Sequence, residues 1–178
     1  MSETREFSHR VALAKLSPRA QPHHLVAGEA AREALARRFD LQAIHRLEAD
    51  LDVARSGNGA DVSGRFVADV VQTCIVSGEP VPAHIEETLA LRFEPQEEGG
   101  EDLELDPDAL DTLPVEGDSI DLGEALAESL ALALDPWPRA APEVLAQARR
   151  HLMTEAEADA QAEAEKQAAN PFAKLRQK

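Results

Sequence analysis

The 178-residue sequence contains no tyrosine, one tryptophan and one cysteine, and aromatic residues make up only 3% of it. Any core must therefore be built from Leu, Val, Ile, Ala and five Phe. A single cysteine, Cys74, excludes an internal disulfide and a multi-cysteine zinc site within this chain. Lying in an apolar, strand-like run, it reads as a small buried residue rather than a reactive thiol. No apolar stretch approaches the ~20 residues a membrane-spanning helix needs. The N-terminus, MSETREFSHR, has no apolar segment of signal-peptide type. A cytoplasmic protein with no membrane partner is expected. Basic residues are also scarce, 18 Lys and Arg against 34 Asp and Glu, for a net charge of −16. Nonspecific affinity for nucleic acid comes from Lys and Arg neutralising phosphates, so broad direct RNA binding is disfavoured. A basic protein partner fits this charge better, with solubility alone as the plainer alternative.

The charge is unevenly spread. Residues 94–128 hold fourteen acidic side chains and no Lys or Arg, whereas residues 170–178 hold three basic side chains and no acidic one. Apolar residues make up 43% of the chain, a globular value, and the length suits one core. The expected architecture is α+β: an antiparallel β meander covered by helices, with an extended C-terminal helical arm. Residues 1–153 read as a single domain with an acidic, mobile excursion at about 94–120. Residues 154–178 read as a polar helical arm ending in a basic tag, NPFAKLRQK.

Alternation carries the strand assignments. Phe7, His9, Val11 and Leu13 alternate with polar or small residues. Residues 17–24, punctuated by proline, read as a loop. Residues 28–38 read as a helix with Glu29 and Glu33 early and Arg37 and Arg38 late, as the helix dipole favours. Leu47, Ala49, Leu51 and Val53 form an apolar face, and Ser56-Gly57-Asn58-Gly59 supplies a hairpin turn. Val62, Gly64, Phe66, Ala68 and Val70 line the return strand. After a turn at 76–80, Val81, Ala83, Ile85, Leu89, Leu91 and Phe93 form a third series, interrupted at Glu87. The helices near 28–38 and 121–135 are the expected lids for this sheet. A further helix is predicted from Pro142, carrying Val144, Leu145, Leu152 and Met153.

Residues 117–139, GDSIDLGEALAESLALALDPWPR, hold the strongest local signal. Asp121 occupies an N-cap position and Glu124 the reciprocal half of a capping box. Leu122, Leu126, Leu130 and Leu134 then fall on one helical stripe, with Glu124 and Glu128 off it. Pro136 and Pro138 stop the helix. Trp137 is expected to pack back on the sheet or helix and fix the exit of the chain; an exposed interface anchor is its second reading. Arg139, the first basic residue after the acidic interval, is expected to pair with that surface. Phe172, bounded by Asn170-Pro171 and a basic tail, has no local core to join and reads as a short docking motif, with a phenylalanine folding back on the domain as the equal alternative.

Catalytic devices find no support. Acidic pairs are frequent by chance among 34 carboxylates, and 97–108 lacks the EF-hand alternation. His23 and His24 read as exposed loop histidines. With His9 and His45 they have no diagnostic metal-ligand spacing. There is no nucleophile elbow and no phosphate-binding glycine loop. No cofactor, metal or catalytic residue is predicted.

The sequence resembles the YceD-like family, the large ribosomal RNA subunit accumulation proteins. The residues carrying the likeness are Val70 to Cys74, Glu79-Pro80, Leu91-Arg92-Phe93-Glu94-Pro95 and Gly117-Asp118-Ser119-Ile120-Asp121-Leu122 with Glu124 and Glu128. Leu134-Asp135-Pro136-Trp137-Pro138 and Asn170-Pro171-Phe172-Ala173 complete the set, whose order and spacing extend the likeness over nearly the whole chain. The resemblance implies a noncatalytic, bacterial role in synthesis, processing or stability of large-subunit ribosomal RNA. Many members carry a Cys-x-x-Cys pair where this chain reads Cys74-Ile75-Val76-Ser77, so a metal role for that pair does not carry over. The partner expected is a ribosomal protein or a large-subunit assembly factor. The candidate partner-binding residues are Asp118, Asp121, Glu124, Glu128, Trp137, Arg139, Asn170, Pro171 and Phe172. An acidic adaptor or chaperone-like module unrelated to ribosomes is the competing reading. A hydrolase would need a concave site gathering His9, His45 and sheet carboxylates.

Overall fold

The computed structural model describes residues 5–95 and 111–149. In chain order, β1 (Arg10–Ala12) leads into a 3-10 turn (Leu13–Lys15), then β2 (Gln21–Val26) and α1 (Glu29–Arg38). Three long strands follow: β3 (Ala43–Ser56), β4 (Gly59–Thr73) and β5 (Pro80–Glu94). Two short strands, β6 (Asp111–Pro114) and β7 (Ser119–Asp121), precede α2 (Leu122–Ala133) and α3 (Pro142–Arg149). The main sheet has the order β2-β3-β4-β5-β6, and β1 pairs with β7 in a separate antiparallel ribbon.

The α+β class and the β3-β4-β5 meander agree with the sequence reading, but the sheet is mixed. β6 runs parallel to β5, with Leu91 opposite Asp111 and Glu94 opposite Pro114. The excursion assigned to 94–120 is therefore structured from Asp111 onward. Residues 17–24 are also not simply loop: Gln21 to Val26 form the edge strand β2, antiparallel to β3. An edge tolerates Pro22, because a strand there can do without one outward donor. The stretch around Leu103 to Leu110, the arm at 154–178, Leu152 and Met153 lie outside the described residues.

The alternation works as expected. Leu47, Ala49, Leu51 and Val53 of β3, Val62, Phe66, Ala68 and Val70 of β4, and Leu89, Leu91 and Phe93 of β5 are all buried on one face. Leu35 of α1 and Leu122, Leu126 and Leu130 of α2 are fully enclosed in the same core. β5 runs through Glu87 without a break, since β4 holds its register along the whole strand. The β3–β4 hairpin needs only Gly57 and Asn58, and Gly57 at φ +55° supplies the left-handed first position of such a tight turn.

Candidate partner-binding surface

Asp121 ends β7 and caps α2, accepting the N–H groups of Gly123 at 3.1 Å and Glu124 at 3.3 Å. The same carboxylate accepts the Ser8 hydroxyl at 2.6 Å, the His9 N–H at 2.8 Å and Arg5 Nη1 at 3.2 Å. Burial alone would raise its pKa. The bonds from Ser8, the His9 and Glu124 amides and Arg5 outweigh that and hold the carboxyl below its usual range. Asp121 is thus enclosed and fully engaged within the fold.

Glu124 departs from the capping box. Its carboxylate receives Arg38 of α1, with bonds of 2.7 and 3.2 Å, and Arg38 also reaches Glu6 at 3.3 Å. Arg5 makes a two-pronged pair with Glu116, whose pKa it lowers chiefly through that hydrogen bond. Asp121 and Glu124 therefore tie the N-terminal arm and α1 to the start of α2. Sequence reading missed Arg5 and Arg38, because nothing local in the sequence marks partners 116 and 86 residues away.

The remaining acidic candidates are presented outward. Asp118, in the β6–β7 turn, and Glu128, on α2, are exposed and form no ion pair with a described residue. Glu94 and Asp111 are also exposed, at opposite ends of the β5–β6 pairing. A cleft of about 50 Å³ between β6 and α2, lined by Phe93, Leu113, Pro114, Glu116 and Glu128, holds little more than a water or two. This face offers charge rather than a pocket.

Trp137 corrects the expectation placed on it: it is 69% exposed and packs back on neither sheet nor helix. Its backbone N–H bonds Asp135 Oδ1 at 2.9 Å, a local turn that holds the ring outward. The segment around it is pinned to the β4–β5 turn instead. Gln72 Nε2 donates to the Asp135 carbonyl at 2.8 Å and the Ile75 N–H to the Pro138 carbonyl at 3.0 Å. Between these two turns lies Cys74, 2% exposed, whose Sγ accepts the N–H groups of Ala140 at 3.3 Å and Ser77 at 3.4 Å. Hydrogen bonding from the Ser77 side chain, then from the Ala140 amide, draws the thiol down to about 7 against the opposing effect of burial. The residue is buried, as expected, but it is a polar junction as well as an apolar filler. The two joined turns leave Ile75 (50%), Val76 (43%) and Trp137 exposed together. Arg139 is exposed beside them and pairs with no described acid.

The histidines do not converge. His24 lies on β2 with Nδ1 2.7 Å from Asp50, and His9 meets His23 edge-on with ring centroids 5.7 Å apart. His45 lines a separate open groove between α1 and β3 with Arg32, Glu33 and Arg37. His9 and His45 thus form no common concave site. No helix among the described residues is long and apolar enough to cross a membrane.

A family model described as large ribosomal RNA subunit accumulation protein YceD matches residues 62–177. The chain belongs to the YceD family. Its description ties YceD proteins to accumulation of the large ribosomal RNA subunit. The matched span takes in the outward acidic residues, the Trp137 turn and Asn170, Pro171 and Phe172, the last three outside the described residues. It begins within β4, so β1, β2, α1 and β3 lie outside it, and the YceD match covers less of the chain than the motif reading gave it. No curated protein and no solved structure matches this YceD family member.

Proposed function

We propose that this protein is a noncatalytic factor in the synthesis, processing or stability of large-subunit ribosomal RNA, acting by binding a basic protein, either a ribosomal protein or a large-subunit assembly factor. The observation that carries this reading is the division among the acidic residues. Asp121 and Glu124 are held within the fold by Arg5 and Arg38, and the exposed Glu116 is paired with Arg5, whereas Asp118, Glu128 and Asp111 are exposed without a described ion-pair partner. An outward acidic face repels RNA phosphates and attracts Lys- and Arg-rich protein surfaces. The exposed Trp137, Ile75 and Val76 add an apolar anchor of the kind interfaces use.

Two measurements test it. Purified protein is titrated with basic large-subunit ribosomal proteins and, separately, with naked ribosomal RNA over a range of salt. The reading expects affinity for one of the basic proteins and none of consequence for RNA; the reverse result defeats it. Depletion of the protein from cells, followed by sucrose-gradient fractionation, is expected to lower large-subunit RNA, with the protein sedimenting alongside large-subunit precursors. Binding to basic proteins without either cellular effect leaves the acidic adaptor unrelated to ribosomes.

A further inference from the structure

β5 is fifteen residues long and pairs with β4 along nearly all of it, yet β6 covers only Leu91 to Glu94 on its other side. Upstream of Leu91, no described strand lies against that outer edge. Which backbone groups face outward follows from two hydrogen bonds. The Glu94 carbonyl accepts the Val115 N–H beyond β6, and the Glu79 carbonyl accepts the Cys74 N–H on the β4 side. Because N–H and C=O groups alternate sides along a strand and the register is unbroken, even-numbered residues of β5 point away from β4. Pro80 and Pro82 fall on that outward parity, so their missing N–H groups cost the β4 ladder nothing. Proline at such positions is a usual way to blunt an exposed edge. The protection stops there. His84, Glu86 and Thr88 present a row of outward donors and acceptors, flanked by the half-buried side chains of Ala83 and Ile85.

Three occupants are conceivable, and charge and reach separate them. The chain's own residues 96–110 connect Pro95 to Asp111, which pairs opposite Leu91. At ~3.3 Å per residue, the His84 end lies at the limit of their reach. They also carry Glu101, Asp102, Glu104, Asp106 and Asp108, which would lie against Glu86 and Glu87. A second copy paired edge to edge would oppose the same two glutamates on molecules of charge −16 each. A basic strand meets neither obstacle. We propose that the free edge of β5 at residues 84–90 is a strand-addition site for an extended, Lys- or Arg-rich segment of the partner protein. This rests on the basic-partner reading above and gives it a binding mode.

The test uses the full chain and three synthetic octapeptides: alternating Lys-Val, alternating Glu-Val, and Lys-Val N-methylated at alternate residues so that its charge is kept and its strand donors are lost. Binding is read by fluorescence anisotropy and amide hydrogen exchange. The Lys-Val peptide is expected to bind and to protect the amides of His84, Glu86 and Thr88. N-methylation is expected to weaken it by about tenfold, the loss of one or two net backbone hydrogen bonds. Thr88→Pro should weaken it equally, with an unchanged circular dichroism spectrum, since the N–H it removes faces outward. The methylated peptide gives the same answer on the unaltered chain. Undiminished binding after methylation overturns the edge site while leaving the basic-partner reading intact. Equal binding of the Glu-Val peptide overturns both. A dimer in analytical ultracentrifugation that Thr88→Pro dissociates assigns the edge to a second copy and overturns the proposal.

Discussion

The Ser8 hydroxyl donates to Asp121 at 2.6 Å across 113 residues of chain, and this contact stands at the centre of the fold's polar organisation. One carboxylate caps a helix, anchors the N-terminal arm and receives Arg5. Asp121→Ala removes the cap and leaves the Ser8 hydroxyl and the His9 and Gly123 amides without their acceptor. A loss of about 2–4 kcal/mol is expected in urea unfolding. Asp121→Asn, which keeps one acceptor oxygen, should lose less.

The same network fixes the response to acid. Asp121 and Glu116 have folded-state pKa values below their unfolded ones, so their stabilisation is complete above the ordinary carboxylate range and fades as pH falls through the lowered folded values. His23 acts in the same direction from higher pH. Burial, and then His9, disfavour its charged form, so protonation below about 6.5 favours the unfolded chain. Midpoints of thermal unfolding should fall from pH 7 to pH 3 and fall less in Asp121→Ala. An equal decline in both proteins would remove Asp121 from the explanation.

Gly64 is required by space rather than by turn geometry. A Cβ there would sit 2.1 Å from the Asp50 carbonyl oxygen and 2.9 Å from the Leu51 Cα, both backbone atoms of the paired strand. Gly64→Ala must separate β3 from β4 at that point. A loss of about 3 kcal/mol or more is expected by denaturant midpoint. The same change at Gly28, which has open space around it, should be far milder.

Cys74 should titrate near neutrality without being readily reached. Thiolate absorbance is expected to rise with a midpoint of about 7 in the folded protein. Reaction with a bulky disulfide reagent should stay slow until unfolding, because the sulfur is enclosed. With the folded pKa depressed, the thiolate's contribution to stability grows as pH rises above 7 and is lost below it. Cys74→Ala orphans the Ala140 and Ser77 amides and should cost about 1–3 kcal/mol.

Trp137, as the chain's single indole, reports directly on its surroundings. Its emission should be solvent-like and strongly quenched by acrylamide, and Trp137→Ala should change stability by no more than about 0.5 kcal/mol. Shielded fluorescence in the isolated protein would contradict the exposed ring. On adding a basic partner, the emission is expected to shift blue.

The long strands were legible because Leu47 to Val53 and Val62 to Val70 alternate over a buried face, where a one-residue slip would expose every apolar side chain. The helix from Leu122 was legible from its cap and leucine stripe. β2 was not, because Pro22 and two histidines suppress the pattern on an edge strand whose pairing comes from β3. β6 pairs through only four residues, so its signal is too short to read. The exposed Trp137 was misjudged because its position depends on how the Cys74 turn holds the 135–140 segment, a contact between distant parts of the chain. The same reason hid Arg5 and Arg38, leaving Asp121 and Glu124 looking free for a partner.

The β1–β7 ribbon also sets an order of events during synthesis. Arg10 pairs with Asp121, and the amide of Leu122 bonds the His9 carbonyl, so the first strand has no mate until more than a hundred further residues have been made. At ~5–20 residues per second, a nascent N-terminus waits several seconds with Val11 and Leu13 uncovered. The β3–β4–β5 meander, whose pairings are local, completes within that interval. Closure of the N-terminal arm therefore follows formation of the meander, and a chain truncated before β7 would leave the polypeptide exit with its first strand still unmatched.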